Sequence, residues 1–142
     1  MRHFLVLLMA SVAALQAGDL WSTDYAATMQ QAAAEKRNVL LEFTGSDWCP
    51  PCMQQAKQVF DQPEFEAFAK DNLLLVKLDF PRRATQDEAI KKRNQDLAAQ
   101  YSVEGFPTVI LLDSEGKQIA RQVGYPGGGV EAFLKWVKSK TP

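Results

Sequence analysis

The sequence predicts an α/β protein, a three-layer α/β/α sandwich around a mixed central sheet. Apolar runs at residues 39–43, 73–79 and 108–112 alternate with helix-forming stretches, and a turn at Gly116 joins the last run to one more strand. Strands separated by a helix need crossover connections and run parallel, whereas a tight turn pairs its two strands antiparallel. The sheet is therefore expected to be mixed, with helices covering both faces.

The N-terminal stretch has the pattern of an export leader. Arg2 precedes an apolar run over residues 4–15, and Ala17 supplies a small residue for cleavage. This order is typical of a secretory signal peptide. The run is shorter than the roughly 20 residues of a membrane-spanning helix, although an uncleaved anchor is the alternative. We expect residues 1–17 to be removed, residues 18–142 to form a single domain, and the mature protein to be periplasmic or secreted.

Caps, prolines and apolar runs predict the elements of the first half. A side-chain oxygen at Thr23 or Asp24 can bind the free N–H groups of a first helical turn. Proline fits the first position of a helix, as at Pro63, and short apolar runs between polar residues indicate buried strands. The predicted elements are a helix over 24–36, a strand over 39–43, a helix over 50–60, a short helix over 63–70 and a strand over 73–79.

The second half begins with a polar, helix-forming stretch. A proline then precedes an apolar run, and the turn residues 113–116 reverse the chain. A glycine-rich connection leads to a last segment whose apolar residues recur at helical spacing. The predicted elements are a helix over 86–100, a strand over 108–112, an edge strand over 117–123, a flexible connection over 124–129 and a helix over 130–138 with Val130, Phe133, Leu134 and Val137 facing the core.

The composition excludes several kinds of site. The only histidine is His3, which lies in the predicted leader. A Cys–His nucleophile, a Ser-His-Asp triad and a histidine metal site are therefore excluded from the mature domain. Without residues 1–17 the net charge changes from −1 to −2, so no basic field attracts nucleic acid. We expect a monomer without metal or other cofactor.

Cys49 and Cys52 are the only cysteines, and they stand where a helix is predicted to begin. A structural zinc site needs four ligands, and only two sulfurs are present. A structural staple across so short a loop would contribute only about 2 kcal/mol in the loop-entropy account. Redox exchange is the favoured interpretation: one thiolate attacks a disulfide and the neighbouring cysteine resolves the mixed disulfide. The positive end of the helix favours the thiolate of Cys49.

Three motifs resemble the thioredoxin superfamily. They are Trp-Cys-Pro-Pro-Cys at 48–52 after a strand, Phe-Pro-Thr at 106–108 before a strand, and Val-Gly at 123–124 before the last helix. The resemblance covers about residues 36–139 and is greatest to small exported thioredoxin-like thiol:disulfide interchange proteins. It implies a thioredoxin-like fold, with Cys49 as the exposed attacking thiol and Cys52 as the buried resolving thiol. It also implies a cis peptide bond before Pro107, opposite the redox-active disulfide.

An acid interrupts the first apolar strand at Glu42. In thioredoxins a buried aspartate occupies the matching position and helps to move a proton at the resolving cysteine, and the resemblance gives this role to Glu42. The family often has a lysine near that acid, and Lys77 stands at the matching place. Burial would raise the pKa of Glu42, and a nearby ammonium would lower it. The alternative is that Glu42 points to solvent from an exposed strand end.

The resemblance further implies an apolar rim that grips the backbone of protein disulfide substrates. Its residues are Trp48, Pro50, Pro51, Phe106, Pro107, Gly124 and Tyr125. Proline before the second cysteine resembles reducing thioredoxins, whereas oxidases and isomerases of the family often carry histidine there. The implied function is reduction of protein disulfides outside the cytoplasm, supplied with electrons by a membrane protein. The alternatives are a disulfide oxidase or isomerase, and a binding or assembly factor with incidental redox activity.

Overall fold

The computed structural model describes residues 20–142, so the predicted leader lies outside the described residues. Within that range the chain forms five strands and five α-helices, with a π-helical segment, Ala56–Phe60, between the second and third helices. In chain order the elements are β1 (Trp21–Ser22), α1 (Tyr25–Glu35), β2 (Asn38–Thr44), α2 (Pro50–Gln55), α3 (Pro63–Asn72), β3 (Leu73–Asp79), α4 (Glu88–Gln100), β4 (Thr108–Leu112), β5 (Gln118–Val123) and α5 (Gly129–Lys140).

The five strands form one mixed sheet in the order β1-β3-β2-β4-β5. β3 runs parallel to both β1 and β2, whereas β4 is antiparallel to β2 and to β5. The predicted mixed sheet is therefore confirmed. β2 lies in the centre and is paired along both sides, so the chain that leaves its C-terminal end starts from a firmly held position.

Two apolar clusters cover the two faces of the sheet. Alternate side chains of a strand point to opposite faces, and Leu40 of β2 packs with Val59 and Phe133 while its neighbour Leu41 packs with Leu97 of α4. The π-helical segment, α3 and α5 thus cover one face, and α1 and α4 cover the other. The predicted α/β/α sandwich is confirmed, and all four apolar residues assigned to the inner side of α5 belong to the first cluster or pack against it.

Two features of the fold were not predicted. β1 is only two residues long, too short for alternation to be visible, and it forms because Trp21 pairs with Leu75 of β3. The helix predicted over 50–60 is α-helical only to Gln55. Beyond that residue its bonds span five residues, as where the Asp61 N–H donates to the Ala56 carbonyl at 2.8 Å. The π-helical segment has only five residues, so a change of side-chain periodicity is too short to be visible in the sequence pattern.

None of the helices within residues 20–142 has the length and apolar character needed to cross a membrane.

Candidate active site

Cys49 and Cys52 are joined by a disulfide where α2 begins. Cys49 is the N-cap and Pro50 takes the first helical position, so one turn of helix brings the two Cα atoms within 5.2 Å. Cys49 is 4% exposed and Cys52 is 2% exposed. The expectation of an exposed Cys49 therefore does not hold in the disulfide form. Its sulfur lies 3.8 Å from the carbonyl oxygen of Phe106, which belongs to a loop that packs over it.

The loop opposite the disulfide contains the Phe106–Pro107 peptide bond, which is cis as predicted. A disulfide sulfur carries no proton, so the approach of Cys49 to the Phe106 carbonyl is a contact in this state, whereas a Cys49 thiol could donate to the same oxygen. The Gly124 N–H donates to the Pro107 carbonyl at 2.8 Å. The structure thus brings the three motifs of the sequence together at one edge of the sheet.

Gly45 fits closely between the second cysteine and the tryptophan of the motif. Its N–H points to the Cys52 sulfur at 3.5 Å. A Cβ at this position would lie 2.5 Å from the Trp48 indole, so only glycine leaves room for the ring. The indole N–H donates to the Phe80 carbonyl at 2.7 Å, and the ring stands edge-on to Phe106 with 6.0 Å between centroids. These contacts hold Trp48 beside the disulfide.

The loop before the cysteines is bound to the loop after β3, a connection that the sequence did not predict. The Asp47 carboxylate accepts the backbone N–H groups of Arg82, Arg83 and Ala84 at 3.0, 2.9 and 2.8 Å. These bonds, led by that from Arg82, lower the pKa of Asp47. Gly-Ser-Asp is typical of turns whose side chains bind backbone groups, but nothing in it indicates a partner more than thirty residues away.

Glu42 is 2% exposed, so the alternative of a solvent-facing acid is wrong. Burial raises the pKa of Glu42 to about 7; Lys77 opposes the rise, and Asp79 and Asp61 add to it. Lys77 is the cross-strand partner of Glu42. The two ion pairs found in residues 20–142 do not include it, and its ammonium lies 5.3 Å from the centroid of the Trp21 ring instead.

The remaining rim residues lie around the start of α2. Pro50 and Pro51 are exposed on its first turn. The Tyr125 hydroxyl donates to the Gln58 side chain at 2.6 Å and accepts the Gly129 N–H at 3.1 Å. Tyr125 therefore anchors the glycine-rich connection to the π-helical segment. Nothing in the sequence indicated that Gln58 would be its partner.

Comparison with known proteins agrees with this architecture. Residues 25–140 match the thioredoxin-like domain family. The chain belongs to this family. Over 125 residues it is 40% identical to the disulfide bond reductase DsbH of Chlamydia pneumoniae, covering 88% of this chain and 75% of that protein. A solved thioredoxin-like structure titled DsbH Oxidoreductase superimposes with a TM-score of 0.79 at 36% identity, covering 98% of this chain and 94% of that one.

A second thioredoxin-like relative is much longer than this chain. The thioredoxin-related protein DsbJ of Chlamydia pneumoniae is 30% identical over 102 residues, which is 72% of this chain but 29% of that protein. Family membership and the closed disulfide between Cys49 and Cys52 together identify the redox centre. The chain is a thiol–disulfide oxidoreductase, as the sequence predicted.

Proposed function

We propose that this oxidoreductase works as a reductase of protein disulfides outside the cytoplasm. The observation that carries the proposal is the absence of histidine from the sequence after His3, with Pro51 standing directly before Cys52. A histidinium beside the cysteines would stabilise the thiolate and hence the reduced form. Without it the disulfide is comparatively stable, so the dithiol gives up its electrons readily. The name of the relative DsbH, a disulfide bond reductase, points in the same direction.

Cys49 is the attacking residue in this mechanism. In the dithiol form its sulfur lies at the N-terminus of α2, where the positive end of the helix dipole favours the thiolate. The thiolate attacks one sulfur of a substrate disulfide, forms a mixed disulfide and expels the other substrate sulfur as a thiolate. Cys52, as its thiolate, then attacks the Cys49 sulfur. This closes the Cys49–Cys52 disulfide and releases the second substrate thiolate, so two electrons pass to the substrate.

Glu42 takes the proton that Cys52 must lose before it can attack. Leu40 of β2 faces the π-helical segment that continues α2, and Glu42, two residues along the strand, faces the same way. A carboxyl whose pKa is about 7 both accepts and donates a proton near neutral pH, as a general acid–base group requires. Lys77 acts through Glu42, because its charge limits the rise of that pKa.

The substrate segment lies across the surface around Cys49. The Phe106 backbone beside the Cys49 sulfur offers hydrogen-bonding groups to an extended chain. The hydrogen bond from the Gly124 N–H to the Pro107 carbonyl holds that loop in place. The apolar surface that contacts substrate side chains comes from Trp48, Pro50, Pro51, Phe106 and Tyr125.

The proposal also covers the location of the protein and its source of electrons. The leader pattern in residues 1–17 directs the chain to the periplasm or the medium after cleavage. A reducing dithiol in an oxidising compartment turns into the disulfide unless it is re-reduced. The cycle therefore includes a membrane protein that donates electrons to the Cys49–Cys52 disulfide, and the chain acts as a monomer.

An insulin-reduction assay tests the proposed activity. With dithiothreitol as electron source, the wild-type protein should accelerate the precipitation of insulin chains, and Cys49→Ser should reduce the rate to that of dithiothreitol alone. Exposed Met53 supplies a matched control, since Met53→Leu changes a neighbouring side chain and leaves both thiols in place. Equal rates for wild type and Cys49→Ser would refute a reductase and favour a binding or assembly factor.

A further inference from the structure

A groove of about 500 Å³ opens beside the disulfide, on the side of the loop that follows β3. One wall is aromatic: the Phe106 ring packs against both Trp48 and Phe80, with 6.0 and 4.9 Å between ring centroids. The other wall comes from the loop 81–86 and the first turns of α4, through Glu88, Lys91 and Gln95. The mechanism above uses Trp48 and Phe106 but leaves the rest of this groove without a role.

The groove is already formed in the protein alone. Asp47 holds the backbone of residues 82–84 through three N–H groups. Phe80 is held at both ends, since its N–H donates to Thr44 at 2.8 Å and its carbonyl accepts the Trp48 indole N–H at 2.7 Å. A binding surface that needs no ordering loses little free energy when a ligand arrives.

A cationic side chain, that of Arg82, lies over the aromatic wall. The guanidinium of Arg82 stacks on Trp48, with 3.5 Å between its central carbon and the ring centroid. Stacking occupies the face of the guanidinium and leaves the N–H groups along its edge to bind an acceptor. Neither ion pair in the described part of the chain involves Arg82. The carboxylate of Asp47 accepts backbone N–H groups and not the guanidinium of Arg82, so the edge of that guanidinium is left to bind another acceptor.

We propose that this groove binds the segment next to the reacting cysteine of a substrate protein and selects segments that carry an acidic side chain beside an aromatic one. The aromatic side chain packs against Phe80 and Phe106, and the carboxylate pairs with the edge of the Arg82 guanidinium. Lys91 adds to the attraction, and Glu88, which lies on the same wall as Lys91, opposes it. The inference rests on the proposed function, because the substrate cysteine must reach Cys49 beside the same aromatic wall.

Disulfide peptides of one sequence test the inference. Each carries a phenylalanine near its cysteine, followed by glutamate, glutamine or lysine, and kcat/KM for reduction is measured with the pre-reduced full domain. Wild type should prefer the glutamate peptide over the glutamine peptide about three- to fivefold, in the range of an exposed ion pair. The preference should shrink at high salt because screening weakens exposed pairs.

Three substitutions locate the preference. Arg82→Gln should bring the ratio of kcat/KM for the glutamate and glutamine peptides close to one. Arg83→Gln is the matched control, because it removes the same charge from a neighbour that does not line the groove, and it should keep most of the preference. Glu88→Gln should increase the preference. Equal kcat/KM for the glutamate and glutamine peptides in wild type, or equal losses in Arg82→Gln and Arg83→Gln, would overturn the inference.

The same experiment separates this inference from the proposed function. Cys49-dependent reduction of all three peptides at equal rates would leave the reductase standing and refute the groove. If none is reduced, the reductase proposal fails. The groove is then tested with the same peptides carrying serine in place of cysteine, and their binding is measured by tryptophan fluorescence. Tighter binding of the glutamate form, lost in Arg82→Gln, would support the groove, and equal binding of the glutamate and glutamine forms would refute it.

Discussion

Replacing Glu42 by glutamine removes a buried acid and keeps nearly the same shape. Burial raises the pKa of Glu42 from 4.5 to about 7. A carboxyl with a raised pKa holds its proton more tightly in the folded protein. Its stabilising contribution is complete below the unfolded-state pKa and is lost as the pH rises through about 7. At about 1.36 kcal/mol per pKa unit, this rise in the pKa of Glu42 lowers the free energy of unfolding by about 3 kcal/mol once the carboxyl has ionised.

Urea unfolding of the oxidised protein at pH 4.5 and pH 8 measures this loss. The free energy of unfolding of wild type should fall by about 3 kcal/mol more than that of Glu42→Gln over this interval. Exposed Glu104 provides the control, since Glu104→Gln should leave the pH dependence of wild type intact. Parallel pH dependences in wild type and Glu42→Gln would show that the carboxyl does not titrate near neutral pH, and would refute the reasoning.

The same variant tests the role of Glu42 in catalysis. Without a carboxyl to take the Cys52 proton, resolution of the mixed disulfide should slow by at least about tenfold, because general acid–base help typically contributes on the order of 10²–10⁴-fold. The inflection of the pH–rate profile near the pKa of Glu42 should disappear. Single-turnover kinetics of mixed-disulfide decay between pH 5 and pH 9 would show both effects, and an unchanged profile would remove Glu42 from proton transfer.

Further predictions concern the thiols, the loop and the leader. Cys52→Ser should accumulate a mixed disulfide with substrate, visible by non-reducing gel and mass spectrometry, whereas Cys49→Ser should not; the reverse pattern would exchange their roles. Gly45→Ala should push the Trp48 indole from its site, shift its fluorescence and destabilise the fold by about 1–3 kcal/mol, and an unchanged spectrum would contradict the close fit. Exported protein should begin near Gly18 by mass spectrometry, and an intact leader would contradict cleavage.

Local signals predicted most of the fold. Apolar runs of strand length predicted β2, β3 and β4, and the turn at Gly116 predicted β5, the antiparallel neighbour of β4. The burial of Glu42 was expected from the resemblance, because the strand pattern alone left open an acid that points to solvent from a strand end. The cis bond before Pro107 came from resemblance, because an isolated proline before a strand is usually trans.

What escaped prediction depends on contacts between segments far apart in the chain. β1 exists only because a neighbouring strand offers hydrogen bonds to two residues. The burial of Cys49 results from a loop more than fifty residues away. Strand register placed Lys77 opposite Glu42, yet register fixes the backbone alone, and the long side chain of Lys77 extends toward Trp21. The hydrogen bonds of Asp47 to the loop 82–84 likewise join segments about 35 residues apart in the chain.

The reduction potential of the Cys49–Cys52 pair tests the central claim most directly. The start of a helix contributes only about 0.3–1 kcal/mol to thiolate stability. The sequence after His3 contains no histidine that would stabilise the thiolate further. The account therefore predicts a potential nearer the roughly −270 mV of thioredoxin than the roughly −120 mV of a strong periplasmic oxidant. Equilibration with glutathione or dithiothreitol buffers measures it. A potential above about −150 mV, with a strongly acidic Cys49, would make the protein an oxidant and contradict the account.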